Sequence, residues 1–495
     1  MNRSLRDLLG ALDSFDGNVP DVQIVGVTSD SRVVEPGFIF VAIRGVTTDG
    51  HQFIESALGK GAAAIVSQKP GGDDKALHIV VQDSAKALAR LAARFYGEPG
   101  KDLRMFGVTG TNGKTSTAHL LRSIIEKGKW GKVGIIGTLG HGVAGGLVAS
   151  VHTTPEPLTL HRLLSEMRDQ KCIGVVMEVS SHAVRQQRIW GLDYEIGMLT
   201  NVTRDHLDYH SSFEDYIAAK REFCYSLVAE TREKENGALV YSRDNDISRD
   251  IGESFPGQKV STSIEGRADV FATDVDASLA GTRFVLHLGD AAGVDVHLKL
   301  LGSFSAANAV VAAAAANHMG ISPAEIKAGL ESVAGVPGRF EALGGDGKPV
   351  VIVDYSHTPD SLERTLRFCR GLSPNRLISV FGCGGDRDKG KRPMMGRIAE
   401  ANSDIRIVTS DNPRTEDPEQ IIEDILGGMD RDSSETHVEP DRRAAIRLSI
   451  GTAGEDDLVA VCGKGHEDYQ IIGEERHHFD DREEANEALV EWRKS

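Results

Sequence analysis

A chain of 495 residues, 40% hydrophobic and 26% charged, is long enough for about three domains, each with its own core. Its net charge of −17 disfavours nonspecific nucleic-acid binding, because a phosphate backbone would be repelled. An anionic substrate would have to meet locally concentrated positive charge.

The cysteines, Cys172, Cys224, Cys369, Cys383 and Cys462, are scattered, odd in number and form no CxxC. That argues against a disulfide framework or a zinc site and fits a reducing cytoplasm. The opening stretch MNRSLRDLLGALDSF has no apolar signal core. No run approaches the roughly 20 apolar residues of a membrane span. A cytoplasmic chain with no membrane span and no nucleic-acid partner is expected.

Residues 21–97 alternate short apolar runs (FIFVAI, AAAIVS, HIVVQ) with helical patterns, and Pro99 and Gly100 mark a linker. The first domain is therefore expected over 1–101. The next opens with LRMFGVTGTNGKTSTAHLLRSIIEKG, continues through KVGIIGT, IGVVMEVS and YEIGMLTNV, and ends after an alanine-rich helix near VAGVPGRFE. Strands separated by helical segments predict a mostly parallel sheet with helices on both faces, over 102–337. Residues 338–495 repeat the alternation with strands PVVIVDY, RLISVFG, IRIVTS and DLVAVCG. Each runs into a polar loop: SHTPD, CGGDRDKGKR, DNPRTED and KGHED. Open parallel sheets bind ligands at the carboxyl ends of their strands, so these loops predict a binding edge. In DNPRTED, Pro413 would stiffen the turn and aim Arg414. The expected fold is α/β in three domains: a small α/β N-terminal domain, a central P-loop-type ATPase domain with a mostly parallel sheet, and a C-terminal Rossmann-like domain.

VTGTNGKTST, at 108–117, follows a strand and opens a helix, the context a phosphate-binding loop requires. Backbone N–H groups of Gly110, Thr111, Asn112, Gly113 and Ser116, with the positive helix end, would favour an anion. Lys114 would reach the outer phosphates and the Thr115 hydroxyl would take Mg²⁺. Val108 stands where the strict Walker pattern has its first glycine, so this is a shortened variant. The competing reading is a glycine-rich turn with an exposed lysine.

Glu178 closes the apolar run GVVMEVSSH, where a carboxylate suits Mg²⁺, a cation that prefers hard oxygen donors. TNVTRDHLDYH brings His206 and Asp208 to the same sheet edge. In SSFEDYIAAKREFCYSLV, helical spacing puts Phe213, Tyr216, Ile217, Phe223, Cys224 and Leu227 on one apolar stripe, and Lys220 falls on it. Burial lowers a lysine pKa, and a neutral amine reacts with CO₂ to give a carbamate, an anionic oxygen ligand. The helix pattern alone favours the plainer reading, a lysine whose stem packs while its head reaches water.

Taken together, GTNGKTS, TTPE, EVSSHAVRQQRI, TNVTRDHLDYH, the lysine in YIAAKREF, GRFE, DYSHTPDSLE, GGDRDKGKR and GKGHED resemble the motifs of the Mur ligases, in the family's order and over nearly the whole chain. Members of that family build the peptidoglycan stem peptide, on which cell shape and division depend. The resemblance implies an ATP-dependent amide ligase, acting as a monomer with Mg²⁺, with Lys220 carrying a CO₂-derived carbamate. Lys114, Glu178, His206 and Lys220 would be catalytic, with Thr115, Glu178, His206 and the Lys220 carbamate as metal ligands. It further implies that Ser29, Ser31, Val46, Thr47 and Thr48 hold the UDP part of a UDP-muramoyl-dipeptide. Thr153, Thr154, Ser180, Gln186 and Arg188 would hold its muramoyl-dipeptide. Asn308 and Arg339 would contact the nucleotide and Asp354 its ribose. Arg387, Asp411, Asn412, Pro413, Arg414, Gly463 and Glu467 would bind the incoming amino acid.

The expected amino acid is meso-diaminopimelate, which carries two zwitterionic ends. One amine reacts; the far carboxylate needs a forked cation, which Arg414 offers, and the far ammonium needs an anion, Glu467. Lysine lacks the far carboxylate and would leave Arg414 unpaired in a closed site. The alternatives are a lysine-adding or folylpolyglutamate-type ligase, a P-loop kinase or ATPase, and a noncatalytic homologue. DNPR argues against lysine, TTPE with EVSSHAVRQQRI against folate. Intact Lys114, Glu178 and Lys220 argue against loss of catalysis.

Overall fold

The computed structural model describes residues 2–12, 19–20, 22–45, 48–70, 76–143, 145–150, 152–229, 232, 235–289 and 292–492. The N-terminal sheet is parallel, with strands Gly26–Thr28, Phe38–Val41, Ala64–Ser67 and Leu77–Val80 side by side in chain order. Helix Ser84–Phe95 begins where the Asp83 carboxylate accepts the N–H groups of Ala85 and Lys86, an N-cap. It buries Leu88, Leu91 and Phe95 in the same cluster as Ile39 and Val66 of the sheet.

The central sheet has at its heart the parallel strands Val133–Gly137, Gly174–Glu178, Arg104–Thr109, Tyr194–Leu199, Ala238–Ser242, Lys259–Ser263 and Val270–Ser278, in that spatial order. The first of these to appear in the chain, Arg104–Thr109, lies between Gly174–Glu178 and Tyr194–Leu199, so the loops that follow all three meet at one edge. Antiparallel strands extend both flanks: Gly140–Val143 and Gly146–Val148 on one side, Gly281–Leu288 and Val294–Leu298 on the other. Helix Ser303–His318 is buried along nearly its whole length. Its run of alanines lets it lie close against both the sheet and helix Lys114–Lys127, which packs on the sheet beside it.

The C-terminal sheet runs Glu341–Gly344, Val350–Asp354, Leu458–Cys462, Leu377–Phe381, Ile405–Val408 and Thr436–Val438, parallel except for the first strand. The last of its parallel strands in sequence, Leu458–Cys462, is thus inserted at the centre. Its loop emerges between the loops after Val350–Asp354 and Leu377–Phe381, and all the polar loops read from the sequence share one edge. Among the described residues no helix is long and apolar enough to cross a membrane. All five cysteines are buried free thiols.

Under that edge lies an ion pair closed off from water. Arg442 donates through Nε and Nη2 to the two carboxylate oxygens of Asp481, each at 2.7 Å. Nη2 also donates to the Cys462 carbonyl at 3.0 Å. Helix Asp481–Glu491 is thereby tied to helix Arg442–Thr452 and to the end of the central strand. Removing one partner strands a buried charge, which costs about 3–5 kcal/mol. Asp481→Leu is expected to destabilise by about that amount in urea unfolding, and adding Arg442→Met to recover much of the loss. Equal stability of the single and double variants would show that the pair does not carry this load.

Candidate functional site

The loop between strand Arg104–Thr109 and helix Lys114–Lys127 is shaped from outside. Gly110 and Gly113 take φ values of 148° and 86°, a region L side chains rarely adopt. A Cβ at Gly110 would collide with Thr200 Oγ1, and one at Gly113 with Asn308 Oδ1. Thr200 Oγ1 donates to the Asn112 carbonyl at 2.6 Å. The Asn201 side chain clamps the same residue, accepting from Asn112 N–H at 3.0 Å and donating to its carbonyl at 3.1 Å. Lys114 Nζ curls back to the carbonyls of Gly110 (2.9 Å) and Thr111 (2.8 Å). Burial holds this ammonium below the usual lysine range, against the pull of Glu178 and Asp205.

Thr115 Oγ1 donates to Glu178 Oε2 at 3.0 Å. The Glu178 carboxylate is 1% exposed and also accepts the Thr138 N–H (2.9 Å) and hydroxyl (3.1 Å). Gly137 leaves the room for it, since a Cβ there would strike Glu178 Oε1. Lys220 is 1% exposed. Its Nζ donates to the Gly110 carbonyl at 2.8 Å and sits 4.5 Å from the centroid of the Tyr216 ring. The side-chain nitrogens of Lys114 and Lys220 therefore converge on one carbonyl oxygen. Burial first, and Lys114 second, push the Lys220 amine well below the usual lysine range. His206 adopts φ 54° and lies 3.3 Å from Asp205; burial lowers its imidazole below the usual histidine range, against the pull of Asp205.

These groups face a cavity of about 750 Å³, lined also by Ser116, Thr153, Ser180, Asn308, Arg339 and Asp354. Arg339 Nη2 donates to Thr115 Oγ1 at 3.2 Å, and its guanidinium stacks 4.4 Å over Tyr355. Asp354 accepts the Phe340 N–H at 3.0 Å and the hydroxyls of Ser356 and Thr365, so it pins the segment that carries Arg339. Gly338, with φ 63°, packs so tightly that a Cβ would run into the backbone of Gly465 and His466. Asn112 Nδ2 donates to Asp360 at 2.8 Å and Arg204 pairs with Asp388 at 3.3 Å, which joins the phosphate-loop side to the C-terminal sheet edge.

Among the described residues, no group of three His, Cys, Asp or Glu side chains has metal-holding spacing. The donor set at hand is Thr115 with Glu178, a hard oxygen pair that suits Mg²⁺. Further oxygens would have to come from a lysine carbamate or from bound phosphates.

Thr153, Thr154, Ser180, Gln186 and Arg188 form one neighbourhood. Thr153 and Thr138 hydroxyls are 3.1 Å apart. Thr154 Oγ1 donates to the Glu178 carbonyl (2.8 Å) and accepts the Ser180 N–H (3.0 Å). Arg188 donates to the Thr154 carbonyl at 2.8 Å and to Gln186 Oε1, and pairs with Glu156 at 2.8 Å. Ser29, Ser31 and Thr48 lie in loops after the adjacent parallel strands Gly26–Thr28 and Phe38–Val41, at one edge of the N-terminal sheet. Ser29 and Thr48 are exposed and Ser31 is buried. Val46 and Thr47 lie outside the described residues.

On the C-terminal edge, Arg414 takes φ 52° and is held from both sides by the hairpin Tyr469–His478. Its N–H donates to Ile471 O (3.1 Å) and its carbonyl accepts from Gly473 (2.8 Å). Its Nη1 donates to the Gly385 carbonyl at 2.7 Å. Among the described residues its Nε and Nη2 make no bond, which leaves one edge of the fork for a ligand. Asn412 Nδ2 donates to Glu467 Oε2 at 2.8 Å. Gly463, φ 123°, admits Asp411: a Cβ there would come within 2.6 Å of Asp411 Oδ2. Arg387 reaches toward Asp208 at 4.0 Å. Asn201, Asp205, Asp360 and Lys464, all within this network, went unmarked in the sequence reading. Asn201 and Asp205 stand in the quoted TNVTRDHLDYH, and Lys464 in GKGHED.

The Mur ligase middle domain matches residues 108–316, the Mur ligase glutamate ligase domain 338–465, and the Mur ligase family catalytic domain 23–96. Over 474 residues the chain is 43% identical to the UDP-N-acetylmuramoyl-L-alanyl-D-glutamate–2,6-diaminopimelate ligase of Syntrophomonas wolfei subsp. wolfei, covering 95% of each chain. Its identity to the protein of the same name from Geobacillus thermodenitrificans is 41%, over 99% of this chain and 100% of that one. A solved structure of a UDP-N-acetylmuramoyl-L-alanyl-D-glutamate–2,6-diaminopimelate ligase superposes with a TM-score of 0.69 at 33% identity, over 99% of both chains. With the phosphate loop, its Glu178 partner and the three matched domains, these likenesses place the chain in the Mur ligase family of ATP-dependent, C–N bond-forming ligases.

Proposed function

We propose that this chain joins meso-2,6-diaminopimelate to UDP-N-acetylmuramoyl-L-alanyl-D-glutamate, with ATP consumed through an acyl phosphate, in peptidoglycan precursor synthesis. The observation that carries the choice of amino acid is the open Nε–Nη2 edge of Arg414 beside the Asn412–Glu467 pair. The names of the relatives and of the superposing structure support the same substrates. On this reading residues 1–101 carry the UDP end, 102–337 the nucleotide and the reacting carboxylate, and 338–495 the incoming amino acid.

A carboxylate is a poor electrophile. Transfer of the γ-phosphoryl group of ATP to the D-glutamate side-chain carboxylate gives an acyl phosphate and ADP. Attack by the amine then forms the amide and releases phosphate and a proton. Phosphoryl transfer asks mainly for positioning and charge neutralisation. Lys114, freed from its loop carbonyls, would grip the outer phosphates, and Arg339 would approach from the opposite wall. Thr154, fixed between the Glu178 carbonyl and the Ser180 N–H, orders the segment that would hold the dipeptide. Mg²⁺, when bound by Thr115 and Glu178 with His206 and a Lys220 carbamate as further ligands, supplies electrostatic stabilisation of the phosphate charge. The carbamate is supported by a buried amine, disfavoured as ammonium, whose hydrogen bond goes to a carbonyl that also accepts Lys114. The first test is direct: sustained, multiple-turnover ADP release must require both the UDP-muramoyl-dipeptide and an amino acid. A kinase or ATPase would release ADP without one of them.

Lys114→Ala removes phosphate charge and no core packing. It is expected to lower kcat at least about a hundredfold with little change in thermal unfolding. Near-normal turnover would sink the phosphate-loop assignment.

Lys220→Ala is expected to be inactive and partly rescued by acetate, whose oxygens can replace those of the carbamate, and wild-type activity should fall when CO₂ is stripped. Intact-mass or NMR detection of only the free amine in active, Mg²⁺-loaded enzyme would remove the carbamate.

Arg414→Ala is expected to cost about 3–5 kcal/mol in kcat/KM for diaminopimelate, because a charge-assisted pair is left half-made. That is roughly a hundredfold to several thousandfold. Lysine, lacking the distal carboxylate, should lose little, and Arg414→Lys should not restore the fork. Parallel loss with both amino acids would mean that Arg414 only shapes the loop.

A further inference from the structure

The loop after strand Leu458–Cys462 contains a cation that the chemistry above leaves unused. Lys464 is fully buried. Its Nζ donates to Asn412 Oδ1 and to Glu467 Oε2, each at 3.2 Å, and lies 5.4 Å from the Tyr469 ring centroid. Asn412 Oδ1 also accepts the Ile471 N–H at 2.9 Å. The three side chains close on one another asymmetrically. Oε2 of Glu467 takes the bonds from both Lys464 and Asn412, and Oε1 takes none among the described residues. A lysine wholly removed from water is costly unless it is paired in good geometry. Here the pairing fixes the rotation of a carboxylate in the amino-acid site.

We propose that Lys464 is a positioning residue for the incoming diamino acid: by holding Glu467 through Oε2 it leaves Oε1 as the acceptor for the distal ammonium. This rests on the diaminopimelate reading above. The charges around Glu467 give Lys464 a second duty. Burial, then Asp411, push the Glu467 carboxyl above the usual glutamate range, with Lys464 and Asn412 opposing. Burial also works against the Asp411 carboxylate, yet Lys464, Arg442 and Arg414 hold it below the usual aspartate range. The phenols of Tyr355 and Tyr469 complete the surroundings. Without Lys464 the two carboxylates face each other, and Glu467 binds its proton more tightly. Protonated, it no longer attracts an ammonium group.

The test is the kinetics of Lys464→Met, Glu467→Gln and the double variant, with diaminopimelate, ATP and the UDP-dipeptide each varied, from about pH 6 to 9. Near pH 7, Lys464→Met is expected to raise KM for diaminopimelate about ten- to a hundredfold, the range for a lost hydrogen bond to a charged group. The KM values for the other two substrates should stay near wild type. The excess KM should shrink as pH rises and Glu467 ionises. In the Glu467→Gln background the lysine replacement should add little, because its effect runs through that carboxylate. If the methionine variant does not fold, Lys464→Gln, which keeps a donor for Oε2 without the charge, should show the same pH trend. A pH-independent rise, full additivity with Glu467→Gln, or equal losses for all three substrates would overturn the proposal. Wild-type enzyme that turns over diaminopimelate, with Lys464→Met unchanged, overturns this inference alone. Wild type that does not turn it over overturns the functional reading and this inference with it.

Discussion

Giving lysine side chains in and around the cleft their own protein acceptors is the constraint on which the rest of this molecule depends. The side-chain nitrogens of Lys114, Lys220 and Lys464 each reach a loop that follows a parallel strand, and each is held by a specific acceptor. Gly110 offers its carbonyl to both Lys114 and Lys220, and Glu467 with Asn412 holds Lys464. Desolvated cations are costly, so their acceptors must be placed by rigid elements. The central sheet does this for Gly110 through the Thr200 and Asn201 side chains at the end of the neighbouring strand. The C-terminal sheet does it for Glu467 by inserting its last parallel strand at the centre. A chain that is acidic as a whole thus keeps concentrated positive charge where an anionic substrate would meet it.

Much of this architecture was legible in the sequence. The four C-terminal strands and their polar loops appear where the apolar runs put them, because fully buried parallel strands write themselves as continuous Val, Ile and Leu. The antiparallel extension over Gly281–Leu288 and Val294–Leu298 has no such run of apolar residues. Buried and exposed positions alternate there, as along the edge strand Val294–Leu298, and alternation of that kind is a weaker signal than an unbroken run. The left-handed backbone of Arg414 likewise depends on the hairpin that clasps it, not on its own neighbours in the chain.

The site divides the same way. Lys220 was placed on the buried face of its helix by spacing alone, and it is buried. Its acceptor, Gly110, lies 110 positions away, a distance no local pattern reports. The Arg442–Asp481 pair and the Asn201 clamp on Asn112 are long-range in the same sense. Helical period and strand-end position reveal which side chain faces inward. What it meets there is decided by strand order, and strand order is set by the packing of the whole sheet.

The crowding at Gly338 bears on how such proteins recombine. The chain has no slack where the C-terminal part begins: a Cβ at 338 would strike the backbone of Gly465 and His466, and the Gly338 carbonyl accepts the Tyr355 N–H at 3.1 Å. A cut placed just after Gly338 therefore separates two surfaces fitted to each other. A chimera cut beyond Gly338 inherits a foreign seam unless residues 338–341 travel with residues 463–467. The unit of inheritance is that matched pair of segments, although more than a hundred positions of sequence lie between them.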